Sequence, residues 1–418
     1  MFSRRLKDLI ARLTRAGARE QLSMRINAPA GHDGERPRFG RQASREAAQR
    51  FWAGKNESAR ARLADTAALA ELGAYSANIE NAVGIAKMPV GVAGPLMVRG
   101  LHAAGHYFVP LATTEAALVA SYARGCQVIG KSGGAVAALV SEGVLRTPAF
   151  VFADILAAGE FVGWVATQEE AIREAVASST RHGVLEEVEP TLENDTVFLT
   201  CRFTTGDASG QNMVTIATDA LCRHLVNNSP VAPLHWFVEG NFSGDKKASH
   251  LGLITGRGRK VCASVTIPEQ VIGKLLHTSS QQMLAYARVA ALGAQLSGQI
   301  GAQGHFANGL AALFIATGQD AACVAESAVG FTRMEPRDDG LFMSVTLPNL
   351  MVGTVGGGTG LPTQQAALEL MGLHGSGRAN ALAEVAASLC LAGEISIMAA
   401  IAAGHFTRAH DKLARARR

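Results

Sequence analysis

Nowhere does this chain carry eighteen consecutive apolar residues, a C-x-x-C pair, or a dense block of one charge. The most apolar segment, Ala381 to Phe406, is broken by Glu384, Glu394 and His405, so it reads as a pair of core helices and not as a membrane span. The six cysteines (Cys126, Cys201, Cys222, Cys262, Cys323, Cys390) are scattered. No zinc-ligand spacing is present and no metal is expected; the thiols read as reduced and mostly buried, in a cytoplasmic protein. Charged residues are only 18% against 48% apolar, which excludes a disordered chain. The formal net charge of +4 is small for 418 residues, and much of it sits in the N-terminal arm, so nothing points to nucleic acid. That arm places Arg4, Arg5, Lys7, Arg12 and Arg15 beside a helical stripe of Leu6, Ile10 and Leu13. A membrane-surface or targeting helix and a short helix packed on a neighbouring subunit both fit it.

What the chain has in quantity is glycine, 45 residues of it, and length enough for two or three domains. Asn27 to Arg41 reads as a Pro- and Gly-rich linker, and Ser44 to Leu72, free of proline, as a helical stretch. A helix is expected from about Thr114 to Cys126, with Thr113 or Thr114 as its cap. Beyond Arg146 the pattern predicts a strand at Phe150–Ala153, a helix at Thr167–Ser178, strands at Gly183–Val188 and Thr196–Thr204, and a helix at Ser209–Asn227. This order suggests a small α+β domain of the ferredoxin-like kind, inserted into a larger one. A strand follows at Lys260–Ile267, and then long Ala-rich helices around a glycine loop at Gly353–Gly360.

Four compact motifs each offer an ionisable group: Glu115 in Ala112-Thr113-Thr114-Glu115, Lys246 in Gly240-Asn241-Phe242-Ser243-Gly244-Asp245-Lys246-Lys247, Asp320 in Gly318-Gln319-Asp320, and His410 after Gly404-His405. Each has a plain explanation when taken alone. Glu115 suits a helix dipole, adjacent lysines suit a surface, and a terminal histidine is usually solvated. Asp320 sits among alanines, where a carboxylate needs a cationic partner. Together, a lysine, two carboxylates and a histidine suit carbonyl reduction, with a cation for the developing oxyanion and acids to deliver protons. The run Asp207-Ala208-Ser209-Gly210-Gln211-Asn212-Met213 opens a helix whose free N–H groups suit either a pyrophosphate or a plain cap.

Read in order with Glu80-Asn81-Ala82-Val83-Gly84, Pro89 to Leu96 and Gly353 to Thr359, these motifs resemble the 3-hydroxy-3-methylglutaryl-CoA (HMG-CoA) reductase family from Glu80 to His410. The Asp-Lys-Lys and Asp-Ala-x-Gly-x-Asn-Met forms look like the NADPH-using class I branch. The resemblance implies an α+β fold: an N-terminal helical segment and linker (1–76), a large substrate-binding domain in two parts (77–147 and 239–418), and an inserted small ferredoxin-like NADP-binding domain (148–238). It implies reduction of HMG-CoA to mevalonate and CoA by two hydride transfers from NADPH. Glu115, Lys246, Asp320 and His410 match the family's catalytic residues, with Asp320 holding Lys246 and sharing a proton network with Glu115. Ser121, Arg124, Gly125 and Cys126 match its CoA-contacting helix; Arg146, Asn241 and Lys247 match its contacts to the acyl carboxylate. Asp207, Ala208, Ser209, Gly210, Gln211, Asn212 and Met213 would contact the dinucleotide, and Arg181 its 2′-phosphate. A homodimer or dimer of dimers is implied, with the site between subunits and no membrane anchor.

Two other readings stand beside this one, NAD-dependent oxidation of mevalonate and a silent CoA- or nucleotide-binding module. The sequence also departs from the family's pattern. Glu239 stands where class I enzymes carry a small hydroxyl residue, and Ala416 replaces the serine of a regulatory phosphorylation site. If His410 protonates the departing thiolate, His410→Ala is expected to lose thioester reduction yet still reduce added mevaldehyde, where no thiolate leaves. Parallel assays on the two substrates check this, and equal loss in both would remove the assignment.

Overall fold

The computed structural model describes residues 3–14, 43–180 and 182–405, with Glu20, Ser23, Met24 and Asn27. The chain forms two compact units, Met1–Ala86 and Lys87–Arg418. In the first, the helical stretch expected over Ser44–Leu72 is broken into the helices Arg45–Trp52, Glu57–Leu63 and Thr66–Glu71. The breaks follow from capping chemistry: Ser44, Asn56 and Asp65 each accept the N–H of Ala47, Ala59 and Ala68. Trp52, Leu69 and Leu72 form the core of this unit, and the Trp52 indole donates to the Val83 carbonyl at 2.7 Å. The arm forms a helix over Arg4–Thr14, with Leu6 and Ile10 exposed.

The second unit is built on the strands β1 (Val90–Gly100), β2 (Ala104–Ala112), β3 (Ala135–Arg146), β4 (Ala149–Val151), β5 (Val184–Glu193) and β6 (Thr196–Thr204). They are followed by β7 (His235–Phe237), β8 (Gly258–Pro268), β9 (Gly301–Ala302), β10 (Gly330–Arg337) and β11 (Gly340–Leu350). The order is β7-β4-β6-β3-β8-β11-β10-β9, with β1 on β2 and β3, and β5 on β6. Strand β3 belongs to both halves: Val136 to Gly143 pair with β8, and Val144 to Arg146 pair with β6. It thereby delivers Arg146 to the junction. On the far side, β7-β4-β6-β5 is antiparallel throughout, with helices between β4 and β5 and between β6 and β7. This is the ferredoxin-like arrangement expected from the sequence.

The sequence reading missed the helix Ile155–Val165, capped by Asp154, and placed only helices after residue 268 where β10 and β11 form a hairpin. The signal for β11 was present. Buried Leu341, Met343, Val345 and Leu347 alternate with half-buried Phe342, Ser344 and Thr346.

The expected pair of helices after Ala381 is one unbroken 24-residue helix, Ala379–Ala402. Its length and apolarity would suffice to cross a membrane, but it is mostly buried within the fold. Two fully buried carboxylates punctuate it. Glu384 accepts the N–H groups of His102 and Ala103 at 2.8 Å and of Leu101 and Leu139 at 3.2 Å. Glu394 accepts from the Gly304 N–H, the His305 N–H and the Thr332 hydroxyl, each at 2.7 Å. Each carboxylate caps loop backbone, and Glu384 also takes the Leu139 N–H at an irregular point of β3. Glu384→Ala is therefore expected to cost about 3 kcal/mol or more, because several N–H groups lose their acceptor. Chemical denaturation measures this, and Glu384→Gln, which keeps one acceptor oxygen, should lose less.

Candidate active site

The loop after β7 folds back on the end of β3 through the Gly240 N–H, which donates to the Thr147 carbonyl at 2.7 Å. Gly240 itself lies where any Cβ would press on Ala149 and Phe198. The loop then turns so tightly that Lys246 adopts a left-handed backbone, φ 57°, a conformation rarely held outside glycine without surrounding constraint. Its ammonium reaches Asp320 at 2.9 Å. That hydrogen bond raises the Lys246 pKa against the weaker, opposing effect of burial.

Asp320 is placed with comparable care. The helix Phe306–Thr317 ends at Gly318, φ 70°, where a Cβ would collide with the Gly358 carbonyl. Buried Gln319 then donates to the carbonyls of Thr317 and Gly353 and accepts the Gly353 N–H at 2.8 Å. Asp320 uses one oxygen on the Ala322 N–H and the other on Lys246. The glycine loop Gly353–Gly360 is thus partly structural, since its first residues clamp the segment that carries Asp320.

Behind Lys246 lies a cluster of charges. Buried Arg146 pairs through Nη1 with Glu239 at 2.7 Å and Asp245 at 3.3 Å. Arg257, 1% exposed, pairs with Asp245 and with Glu326, both at 2.8 Å, and donates to Gln211 at 3.0 Å. Burial pushes the Glu326 carboxyl up to about 7 despite the Arg257 charge. Lys247 is exposed and donates to the Asp245 carbonyl at 2.9 Å; Asn241 is exposed too, with φ 59°.

Glu115 stands elsewhere. It precedes the helix Leu118–Lys131, which begins later than the Thr114 expected and has Ala117, φ 69°, at its cap position in place of Thr113 or Thr114. Its carboxylate accepts from Asn308 at 2.8 Å and borders a groove of about 400 Å³ with Met88, Thr113, Leu118 and Ala311. Asn308 starts the Phe306–Thr317 helix and Asp320 follows its end, so a rise of 1.5 Å per residue puts their anchor points roughly 15 Å apart along the axis. One chain therefore brings Lys246 and Asp320 together and holds Glu115 apart from them. His410, Arg181 and Ala416 lie outside the described residues.

On the Leu118–Lys131 helix, the Ser121 hydroxyl lies 2.8 Å from that of Ser396, and Arg124 donates to the Ser396 hydroxyl and carbonyl. Gly125 and Cys126 also have packing roles, and Cys126 borders a cavity of about 740 Å³ with Arg124 and Gln127. A Cβ at Gly125 would collide with the Ala392 carbonyl, and Cys126 is fully buried, its thiol pushed up to about 12 by burial. Close helix packing accounts for both.

Of the Asp207–Met213 run, Asp207 accepts the N–H groups of Gly377 at 2.7 Å and Ala379 at 3.1 Å, at the head of the buried helix. Burial raises its pKa, but those N–H groups, that of Arg378 and the Arg259 charge outweigh burial and leave it below the ordinary range. Its carbonyl accepts the Thr354 N–H, the Ala208 carbonyl accepts the Thr205 hydroxyl, and Gly353 packs against the Ser209 N–H. Gly210, φ 78°, opens the helix Gln211–Asn228 with no side-chain cap, and Asn212 and Met213 follow in its first turn. Sequence reasoning missed Asn308, Arg257 and Glu326 and passed over Gln319 inside its own motif; glycines beside Asn308, Arg257 and Gln319 were a signal that could have found them, and none marked Glu326.

Glu326 gives this site a pH signature. Its folded value near 7 exceeds the ordinary 4.5, so its contribution to stability is complete below about 4.5 and lost as pH rises through about 7. Glu326→Gln is expected to flatten the pH dependence of Tm across that window, as measured by calorimetry.

A family model described as "Hydroxymethylglutaryl-coenzyme A reductase" matches residues 44–415. The 3-hydroxy-3-methylglutaryl-coenzyme A reductase of Aeropyrum pernix is 45% identical over 347 residues, 82% of each chain. That of Methanothermobacter thermautotrophicus is 41% identical over 340 residues, 81% of this chain and 85% of its own. Among solved structures, the class II reductase of Streptococcus pneumoniae bound to NADPH in open conformations superposes with a TM-score of 0.64 at 20% identity, covering 84% of this chain and 98% of that one. The last likeness speaks for the fold.

Proposed function

The chain belongs to the hydroxymethylglutaryl-coenzyme A reductase family, and from that premise we propose that it reduces HMG-CoA to mevalonate and CoA with NADPH. The observation that carries this reading is the Lys246–Asp320 pair at 2.9 Å, a fixed cation on a strained loop, held by a carboxylate at a helix end. When bound, NADPH supplies a hydride to the carbonyl carbon in each of two rounds. Negative charge then gathers on the carbonyl oxygen, and Lys246 is the donor placed for it. Losing one such preorganised donor typically costs about 3–4 kcal/mol of barrier. His410 would protonate the departing thiolate, and Glu115 the aldehyde oxygen of the second round.

Support for the dinucleotide contact comes from the N-terminus of the Gln211–Asn228 helix, whose cap residue Gly210 offers no side-chain hydrogen bond to the first-turn N–H groups. We assign the Asp207–Met213 run to that contact, with Arg181 for the 2′-phosphate and residues 148–238 as the domain that presents them. Ser121 and Arg124 would meet CoA; Arg146, Asn241 and Lys247 would meet the acyl carboxylate. Six free cysteines, five of them buried, fit a reducing, cytoplasmic setting.

The separation of Glu115 from Lys246 within one chain supports a two-fold homodimer, in which Glu115 of one copy faces Lys246 and Asp320 of the other. Glu115→Ala and Lys246→Ala are each expected to lose HMG-CoA-dependent NADPH oxidation by about 100-fold or more. Mixed and reassembled, the two variants should recover up to about a quarter of wild-type activity, because half the dimers are then mixed and each carries one intact site. No recovery would place the site within one chain. A strong preference for NADH would favour mevalonate oxidation, and no turnover at all a silent binding module.

A further inference from the structure

We propose that Glu239 sets the acyl specificity of this site by occupying, on Arg146, the place that an acyl carboxylate would take. The inference deepens the proposed reductase reading and rests on it. An acyl chain that ends in a carboxylate needs a cation near the one that receives its carbonyl oxygen. Around Lys246 the candidates are few: Lys246 is paired with Asp320, and Arg257 is 1% exposed and engaged by Asp245, Glu326 and Gln211. Among the described residues, exposed Lys247 and buried Arg146 are left.

Arg146 is the better-built receptor but is already in use. Its Nη1 serves both Glu239 and Asp245, while its Nε is buried with no hydrogen-bond partner. A guanidinium offers a fork matched to a two-pronged carboxylate, so this is a one-armed grip with an idle donor beside it. Glu239 is held there by its own loop: Oε1 accepts the Asn241 N–H at 2.7 Å, and Oε2 accepts the Ser243 hydroxyl at 2.9 Å. Its side chain is nonetheless 28% exposed, so it can leave toward solvent. The charges close the argument. Two guanidinium groups, Arg146 and Arg257, face three carboxyl groups, Glu239, Asp245 and Glu326. A further carboxylate must displace Glu239, the nearer of the two Arg146 partners, before it can take that donor.

The test is steady-state kinetics of the full chain and of Glu239→Ser and Glu239→Gln at saturating NADPH. Two acyl groups are compared: HMG-CoA, and 3-hydroxy-3-methylbutyryl-CoA, which lacks the terminal carboxylate. Asp245 still opposes Arg146 in both variants, so neither leaves a buried charge alone. Since like charges brought together cost several kcal/mol before they rearrange, KM for HMG-CoA should fall about tenfold in both variants, with kcat changing much less. The neutral acyl group should shift by less than about twofold, because it has no charge for Glu239 to oppose. An HMG-CoA KM that stays or rises in both variants overturns the proposal. So does an equal shift for both acyl groups, or a shift in Glu239→Ser alone, which would assign the effect to space and not to charge. If no protein oxidises NADPH with HMG-CoA, the reductase reading fails by itself. Calorimetric titration with HMG-CoA then decides the role of Glu239: tighter binding by both variants sustains it, and equal binding ends it.

Discussion

The buried helix Ala379–Ala402 is the constraint from which the rest of the second unit follows. Burying it requires that Glu384 and Glu394 find donors, and they find them in backbone: the β1–β2 turn and the middle of β3 for one, the segment before the Phe306–Thr317 helix for the other. A carboxylate left unpaired there would cost several kcal/mol, so sequence-distant loops are drawn to fixed points on one rod. Gly125 lets the Leu118–Lys131 helix close against Ala392, and Asp207 secures the rod's head. The functional loops inherit their positions from these attachments.

At the site itself, the chemistry depends on how charges are shared. Lys246 holds one carboxylate, Asp320, whose hydrogen bond favours the charged ammonium over the opposing effect of burial. Arg146 and Arg257, a few residues behind, are buried and need more than one partner each, so the loop between Glu239 and Lys247 is stapled by side chains as well as by its Gly240 bond. Rigidity of this kind is what electrostatic catalysis needs, because a donor that must reorganise during the reaction stabilises less.

Much of this was legible in the sequence, for identifiable reasons. The ferredoxin-like half showed its strands and helices because amphipathic periods and turn residues agree there, as at Thr196–Thr204, where the expected and observed bounds coincide. The Lys246 and Asp320 motifs stood out because glycine flanks them, and glycine marks close approach. Less was legible where tertiary packing overrides local pattern. The strands β1 to β3 did not stand out from loops, and Ala381 to Phe406 read as a pair of helices interrupted by Glu384, Glu394 and His405 because the partners of the two carboxylates lie far away in sequence. Ser121 and Gly125, four residues apart, share a helix face that meets Ser396 and Ala392, a packing role that their motif did not reveal. No one-dimensional signal could show that Glu115 and Asp320 flank opposite ends of the same helix.

Asp207 sits at the crossing of two duties. Its carboxylate secures the head of the buried rod, and on the proposed reading its neighbours meet the dinucleotide. Engineers who wish to exchange one coenzyme for another will meet this coupling as a hidden tax on thermal robustness. Random libraries at that position should therefore return fragile proteins more often than altered ones, and fruitful diversity should concentrate at outward-facing Asn212, whose side chain anchors nothing else among the described residues.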